Sequence, residues 1–233
     1  MAFTPPPASK SLLDRIDFGS ANPVAQDRKA AFDADDARPG NRDPSRCKAL
    51  LSFENGTIFW SSKMAIDADG LAAGPGRLSG SQLDPSNSEG QDTTNYRFPE
   101  GGPMLASEVV PYVVLPGGTF RDQTGLAFGD VVMVIFGNKM AGALAGDLGP
   151  ANKIGEGSIR LHELLHPPAP DPCARRDANG FCQRIRDASI GEDVLFFAFP
   201  GSAFTSGINQ SNAERLAGER AAQLFAALKT PEQ

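Results

Sequence analysis

The chain is poor in the residues that most metal centres and many hydrolases use. Its 233 residues include two histidines, three cysteines and one tryptophan. The cysteines do not fall at zinc-ligand spacing. The GxSxG elbow of serine hydrolases is absent, and no glycine-rich nucleotide-binding pattern stands in a strand–turn–helix setting. These absences argue against zinc-finger, serine-hydrolase and nucleotide-binding proteins.

The charge distribution narrows the choice of partner. The net charge is −6, and Lys and Arg do not cluster, so we expect no nucleic-acid partner. The longest apolar runs fall short of the roughly 18 residues that cross a bilayer, so we expect no membrane partner. An acidic surface suits a cationic partner. The alternative is that the acidity serves solubility alone.

The cysteines bear on the cellular compartment. Cys173 and Cys182 stand in a polar, loop-like segment, DPCARRDANGFCQ, which predicts a small loop closed by a disulfide. Cys47 is left over and is expected to keep a partly buried thiol. A surface disulfide favours secretion over a cytoplasmic location. The N-terminal MAFTPPPASK has no signal-peptide pattern, so we expect either a protein that stays inside the cell or a secreted one whose signal has been removed.

Composition and hydrophobic patterning predict a mainly β fold. With 25 glycines and 19 prolines, we expect many turns and long loops and no helical bundle. Residues 1–45 are predicted to form a partly disordered N-terminal arm with a short helix around Gln26–Ala34. Residues 46–233 are predicted to form one folded domain.

Apolar runs and turn dipeptides locate the elements of that domain. Asn55-Gly56 and Gly137-Asn138-Lys139 each predict a hairpin. The Gly-, Ser- and Pro-rich stretch Asp67–Pro103 is a long loop of the kind that usually has a function. Ser158–Leu165 and Ser211–Leu228 are predicted helices. The second has Ser211 and Glu214 as a capping box and an apolar face of Ala217, Ala221, Leu224, Phe225 and Leu228. The predicted strands are Ala49–Phe53, Thr57–Ile66, Val109–Leu115, Asp130–Phe136, Met140–Ala145 and Asp193–Phe199.

Two motifs offer catalytic groups. His162-Glu163-Leu164-Leu165-His166 matches the HExxH zinc motif. Prolines follow at once, however, so we prefer a histidine at a helix C-terminus to a zinc hydrolase. Asp147 ends an apolar strand and Glu156 stands just before a helix, both flanked by glycines. Two carboxyl groups are the minimum equipment for hydrolysis of a glycosidic bond, although such Asp-Gly and Gly-Glu pairs usually form turns and caps.

Eight segments in a fixed order carry a family resemblance. They are Lys63–Gly70 (KMAIDADG), Asp92–Thr94 (DTT), Arg97–Pro99 (RFP), Val110–Pro116 (VPYVVLP), Gly129–Val132 (GDVV), Gly146–Pro150 (GDLGP), Ile154–Ile159 (IGEGSI) and Phe199–Ser202 (FPGS). Over roughly residues 50–205 the chain resembles the family 75 glycoside hydrolases, the fungal-type chitosanases. The Gly-Asp-x-Gly-Pro turn also resembles that of double-psi barrel glycosidases.

The resemblance implies a fold and an activity. The fold would be a double-psi-like, six-stranded β-barrel with long loops and two peripheral helices. The activity would be inverting endo-hydrolysis of the β-1,4 linkages of chitosan by Asp147 and Glu156, in a monomer that needs no cofactor and no metal. Residues 46–233 would then be the catalytic domain.

The same resemblance supplies candidate substrate-binding residues. They are Asp67, Thr93, Tyr96 and Arg97. For Asp67 a sugar-binding role and a simple turn stay equally open, whereas Asp69 is interpreted as a turn residue. Trp60 is predicted to lie in the core, because its strand neighbours are apolar.

The two carboxyl groups also receive provisional roles. Burial at the end of a strand favours a protonated Asp147, which suits the general acid. The positive end of the following helix favours a charged Glu156, which suits the base. The alternatives are hydrolysis of another aminosugar polymer such as peptidoglycan, and a non-catalytic carbohydrate-binding module.

Overall fold

The computed structural model describes residues 3–34, 44–84, 91–186 and 188–229, and within them the protein is mainly β. The strands are β1 Asn22–Pro23, β2 Ala49–Ser52, β3 Ile58–Asp67, β4 Tyr112–Pro116, β5 Val131–Phe136, β6 Lys139–Gly149, β7 Glu156–Ser158, β8 Cys173–Arg176, β9 Cys182–Ile185 and β10 Ile190–Phe199. The α-helices are α1 Gln26–Ala34, α2 Gly80–Leu83, α3 Phe120–Thr124, α4 Ile159–Leu165 and α5 Ala213–Leu228, and a 3-10 helix spans Pro7–Leu12. No helix in these ranges has the length and hydropathy that crossing a bilayer requires.

Six strands close into a barrel. The order is β3-β10-β5-β6-β4-β7, and β7 pairs back with β3. The β3–β7 and β4–β6 pairs are parallel and the other four are antiparallel. Closure leaves none of these six strands with an open edge. The predicted mainly β fold with a six-stranded barrel is therefore confirmed.

The predicted strands are confirmed with small shifts at their ends. Both predicted hairpins form, because β2 pairs antiparallel with β3 and β5 pairs antiparallel with β6. In β5 an unbroken apolar run reflects burial on both faces: Val131, Met133 and Ile135 face one core, whereas Val132 and Val134 face another. Strand β7 was not predicted, because three residues with a central glycine are too short to show a period.

Helix α5 covers strands β5 and β6. The predicted apolar face is confirmed, since Ala217, Ala221 and Phe225 are buried against the sheet. The predicted capping box is wrong. The helix begins two residues later than expected, at Ala213, and Glu214 instead binds Arg160, at 2.7 Å from Oε2 to Nε. The ion pair with Arg160, which lies outside the helix, holds the Glu214 side chain away from the first turn of α5.

The other helices are short and peripheral. Helix α1 has the predicted bounds. Helix α4 begins one residue later than predicted, because Ser158 is its N-cap and accepts a hydrogen bond from the Leu161 amide at 3.2 Å. Helices α2 and α3, of four and five residues, were not predicted. Both are too short to establish a helical period.

The described part of the N-terminal arm packs on the barrel. The Phe18 ring lies 5.1 Å from that of Phe3 and 5.0 Å from that of Phe59, between ring centroids. Strand β1 adds to the edge of β2. Residues 35–43 of the arm lie outside the described residues. The domain boundary at residue 46 stays a prediction.

A second, two-stranded sheet carries the disulfide. Strands β8 and β9 pair with each other and with no barrel strand among the described residues. The predicted bond between Cys173 and Cys182 is confirmed, with Cα atoms 5.6 Å apart. Cys47 keeps a thiol, which is buried and donates to the Ala49 carbonyl at 3.4 Å. Trp60 lies in the core as predicted, stacked on Phe196.

Removing the Phe18 ring tests whether the arm is part of the fold. We expect Phe18→Ala to lower the free energy of unfolding by about 3 kcal/mol, because it leaves a cavity between the arm and the barrel. Urea denaturation measures this. Ser20→Ala, at an exposed position two residues away, should change stability by less than about 0.5 kcal/mol. A loss of stability in Phe18→Ala that is as small as that in Ser20→Ala would contradict a stabilising role for the Phe18 ring.

Candidate active site

An acidic cavity of about 610 Å³ opens where strands β3 and β6 end and β7 begins. One cation of the described residues, Lys153, lines it. A larger groove of about 820 Å³ lies beside α5, but the only charged residues in the described part of its lining are Glu214 and Arg215. The smaller cavity has the converging ionisable groups and is therefore the candidate active site. Its acidic lining residues are Asp67, Asp69, Asp84, Asp147 and Glu156.

Strand register brings Asp147 and Glu156 to either side of Val114. Val114 pairs with Asp147 across the parallel β4–β6 ladder. Val113 pairs with Gly157 on the antiparallel β4–β7 side, which places Glu156 opposite Val114. Two interstrand spacings of about 4.8 Å separate the two backbone positions by roughly 10 Å. Both side chains and Val114 line the cavity, so the two carboxyl groups flank a common space.

Asp147 is buried and held by the backbone. Only 6% of the residue is exposed. Its Oδ1 accepts hydrogen bonds from the amides of Asn95 and Leu148, each at 2.9 Å. Burial raises the pKa of this carboxyl group, and the two amide donors offset part of the rise. A raised pKa suits a group that gives up a proton during the reaction.

Glu156 is held by a cation and by a glycine turn. Lys153 Nζ lies 2.6 Å from Glu156 Oε1. Gly155 has φ +87°, and a Cβ there would come within 2.1 Å of the Lys63 carbonyl oxygen. Only glycine allows the chain to turn so closely onto β3 before Glu156. The expected stabiliser of the charge was the helix start, but Glu156 belongs to β7 and its ionic partner is Lys153.

Asp67, Asp69 and Asp84 form one side of the cavity, which we call the acidic wall. Asp67 Oδ1 accepts the Asp69 amide at 2.8 Å, and Asp69 Oδ1 accepts the Gln91 amide at 2.8 Å. Burial raises the pKa of Asp67 well above its ordinary range, and repulsion by Asp69 adds to the rise. Burial also raises the pKa of Asp69 to about 6. Asp69 was interpreted from the sequence as a turn residue, but the structure shows that it also lines the cavity.

The other predicted binding residues lie on the loop beside the cavity rather than in its lining. Thr93 and Arg97 are exposed there. Tyr96 is only 8% exposed, and its ring packs against Phe98 in the core, with centroids 5.9 Å apart. The Tyr96 amide donates to the Gly146 carbonyl at 2.9 Å, next to Asp147. The backbone of this loop thus reaches the site, whereas the Tyr96 side chain does not.

The histidines of the HExxH motif do not converge on this cavity. His162 is fully buried, and its ring nitrogens face the carbonyl oxygens of Ser158 and Met64 at 3.0 and 3.2 Å. The ring of His166, the C-cap of α4, contacts the Ala169 carbonyl. Backbone groups therefore occupy the nitrogens that a metal would need, in agreement with the interpretation of this motif as a helix end.

Besides Asp69, sequence reasoning missed three polar lining residues, Lys153, Asp84 and Gln91. Lys153 stands three residues before Glu156, and a search for a partner of that charge would have found it. Asp84 and Gln91 belong to the long polar loop. They reach the cavity only through tertiary packing, and no periodicity or motif singles them out.

The fold and the site define a class of enzyme. A carboxyl pair across a cleft, with one buried acid and one ion-paired carboxylate, is the equipment of a glycoside hydrolase. The sequence profile of the fungal chitosanases of glycosyl hydrolase group 75 matches residues 64–227. The chain belongs to this family. A search of curated proteins found no match.

Neutralising Asp69 tests the electrostatic description of the wall. A folded-state pKa near 6, above the ordinary Asp value of about 4, means that the folded protein binds more protons between these values. Its free energy of unfolding therefore falls as pH rises from about 4 to 6. Asp69→Asn keeps the acceptor for Gln91 and removes this loss. We expect it to stabilise the protein by about 1 kcal/mol at pH 7 and not at pH 4.

Urea denaturation at both pH values measures this difference. Asp122→Asn, at an exposed acid on α3, serves as the matched control and should change stability by less than about 0.5 kcal/mol at either pH. A destabilised Asp69→Asn protein at pH 7 would contradict the raised pKa.

Proposed function

We propose that the protein is an endo-chitosanase that cleaves β-1,4 linkages with inversion, using Asp147 as general acid and Glu156 as general base. The observation that carries this proposal is the placement of these two carboxyl groups on either side of Val114 in an acidic cavity. Membership of the fungal chitosanase family supports the substrate class. A raised pKa at Asp147 and an ion pair at Glu156 support the two roles.

The reaction follows from the two environments. Protonated Asp147 gives its proton to the glycosidic oxygen as the bond to the anomeric carbon breaks. Glu156 takes a proton from a water that attacks the same carbon from the opposite face. Asp147 ends the cycle ionised and Glu156 ends it protonated, and exchange with solvent restores both. Val114 lies between their backbone positions.

Substrate charge is recognised by the acidic wall. Carboxyl oxygens of Asp67, Asp69 and Asp147 all lie within 4.8 Å of one another. Asp67 and Asp69 can accept charge-assisted N–H···O bonds from one ammonium group placed beside the protonated Asp147. An ammonium group offers three N–H donors. In glucosamine that group is on the carbon next to the anomeric carbon, so the proton donor and the ammonium receptor belong side by side.

The remaining expectations extend the same proposal. Thr93 and Arg97 are exposed on the loop that flanks the cavity and would contact sugars beyond the cleaved bond, while Tyr96 supports that loop from the core. The disulfide supports a secreted protein. A protein that acts alone on a soluble cationic polymer needs no second subunit, and we expect a monomer.

Incubation with three polymers tests the function. We expect reducing ends to appear from chitosan, with glucosamine oligomers detected by mass spectrometry, and little or no release from chitin or peptidoglycan, whose amino groups are acetylated. Preferential release from peptidoglycan would favour the alternative aminosugar hydrolase. Binding to chitosan without release of reducing ends would favour a carbohydrate-binding module.

Substitution of the carboxyl pair tests the mechanism. Asp147→Asn and Glu156→Gln should each lower kcat on chitosan by about a thousandfold, the scale of lost general acid–base catalysis. Glu219→Gln, on an exposed acid of α5, and Asp122→Asn should keep wild-type kcat. Circular dichroism should show that all four variants are folded. Retention of more than a tenth of the activity by either site variant would contradict its catalytic role.

An activated substrate separates the two roles. On an oligomer with a leaving group that needs little protonation, Asp147→Asn should recover much of its activity, whereas Glu156→Gln should remain inactive. Azide should rescue Glu156→Ala and give the glycosyl azide of inverted configuration. The opposite pattern of recovery would exchange the acid and the base.

A further inference from the structure

We infer that the disulfide hairpin β8–β9, together with Arg77, positions the acidic wall of the cavity and so sets how strongly the enzyme selects charged substrate. This inference rests on the proposed function for its kinetic consequence. Its structural part is tested separately below.

The half-cystines lie in a small apolar cluster directly behind the wall. Cys173 is 2% exposed and Cys182 is fully buried, and both pack in one cluster with Ala68 and Leu83. Ala68 separates Asp67 from Asp69, and Leu83 precedes Asp84. Each of the three carboxylates thus lies one residue away from the cluster that contains the disulfide.

Arg77 ties the loop of the wall to the hairpin. Its guanidinium carbon lies 3.3 Å from the centroid of the Phe181 ring. Its Nη1 lies 2.6 Å from Glu108 Oε1, which also accepts the Cys182 amide at 2.8 Å. Glu108 is only 7% exposed. The three-way contact between Arg77, Glu108 and Cys182 is therefore a largely desolvated link between the loop and the hairpin.

Helix α2 transmits this support to Asp69. The helix packs on β9. A Cβ at Gly80 would lie 2.2 Å from the Gln91 carbonyl oxygen and 2.9 Å from the Asp69 Cα, so α2 presses directly on the backbone of the wall. The amide of Gly80 donates to Gly70, the amide of Gly70 donates to Gln91, and the amide of Gln91 donates to Asp69. Movement of the hairpin would displace every member of this chain of hydrogen bonds.

The hairpin pairs with no barrel strand in the described ranges. The barrel ladders that position Asp147 and Glu156 therefore do not depend on it. Loosening the hairpin should disturb the recognition of substrate charge more than the chemical step. A positioning role thus predicts a change in KM and in substrate selection, with kcat largely kept.

Two variants test the inference with matched controls. Cys173→Ser/Cys182→Ser removes the disulfide, and Arg77→Ala removes the link while keeping the disulfide. We expect each to raise KM for highly deacetylated chitosan about tenfold, the scale of one misplaced charge-assisted contact. KM for heavily acetylated chitosan and kcat should stay within about twofold of wild type. Phe18→Leu, which destabilises the distant aromatic cluster, and Arg215→Ala, an exposed arginine, should leave the ratio of the two KM values unchanged.

Hydrogen exchange tests the structural part without any substrate. In both variants the amides of Gly70, Gly80 and Gln91 should lose protection, whereas those of β5 and β6 should keep it. Unchanged protection at these three amides, or an equal loss throughout the barrel, would overturn the inference. So would a KM that rises equally for both chitosans.

A wild-type protein that releases no reducing ends from chitosan would refute the proposed function, and the exchange result would still decide whether the hairpin positions the wall. If the cysteine variant fails to fold, Arg77→Ala alone decides the question.

Discussion

Burial of several carboxyl groups in one cavity, reinforced by their mutual repulsion, is the constraint around which this end of the barrel is built. Among the described residues, five acids line the space and a single lysine offsets them. Charges brought close together out of bulk water disfavour one another and favour protonation. In the proposed mechanism, the same arrangement attracts a cationic sugar and keeps one acid ready to donate a proton, which offsets this energetic disadvantage. Enzymes commonly trade stability for function in this way.

The scaffold that holds the acids is mostly backbone. Amide donors bind Asp147, Asp67 and Asp69, so the fold itself holds these carboxyl groups in place. Strand register across β4 fixes which residues face each other, and glycines permit the close turns. Preorganised groups of this kind need little rearrangement during the reaction. The disulfide hairpin adds support to Asp69 and Asp84, the part of the acidic wall that lies outside the barrel strands.

Much of the fold follows from local sequence. Long apolar runs separated by Asn-Gly and Gly-Asn turns predicted the barrel strands, and alanine spacing predicted the buried face of α5. The exceptions have physical reasons. Strand β7 is too short to show a period and forms because both neighbours in the barrel offer it partners. The predicted capping box at Ser211 does not form, because Glu214 binds Arg160, which lies 54 positions away in the sequence. In the sequence, the first 34 residues look like a polar arm. Their scattered phenylalanines have packing partners only in the folded protein, where Phe53, Phe59 and Phe197 lie together.

The sequence predicted those site residues that have a suitable chemical group and also stand in a recognisable local motif. Asp147 and Glu156 stand in glycine-flanked turns, and the structure brings both to the cavity. Asp84 and Gln91 reach it through packing that no motif marks, whereas Lys153 stands three residues before Glu156. Tyr96, proposed as a binding residue, points into the core because its ring fills space beside Phe98 and Gly129.

The most direct test of the central claim is the anomeric configuration of the first product. Proton NMR can follow the cleavage of a glucosamine oligomer before mutarotation sets in. A water activated by Glu156 on the face opposite Asp147 must convert a β-linkage into an α-anomer, so the account predicts that the α-anomer accumulates first. Initial accumulation of the β-anomer would mean that a covalent intermediate forms, and would contradict the assignment of Glu156 as a base acting through water.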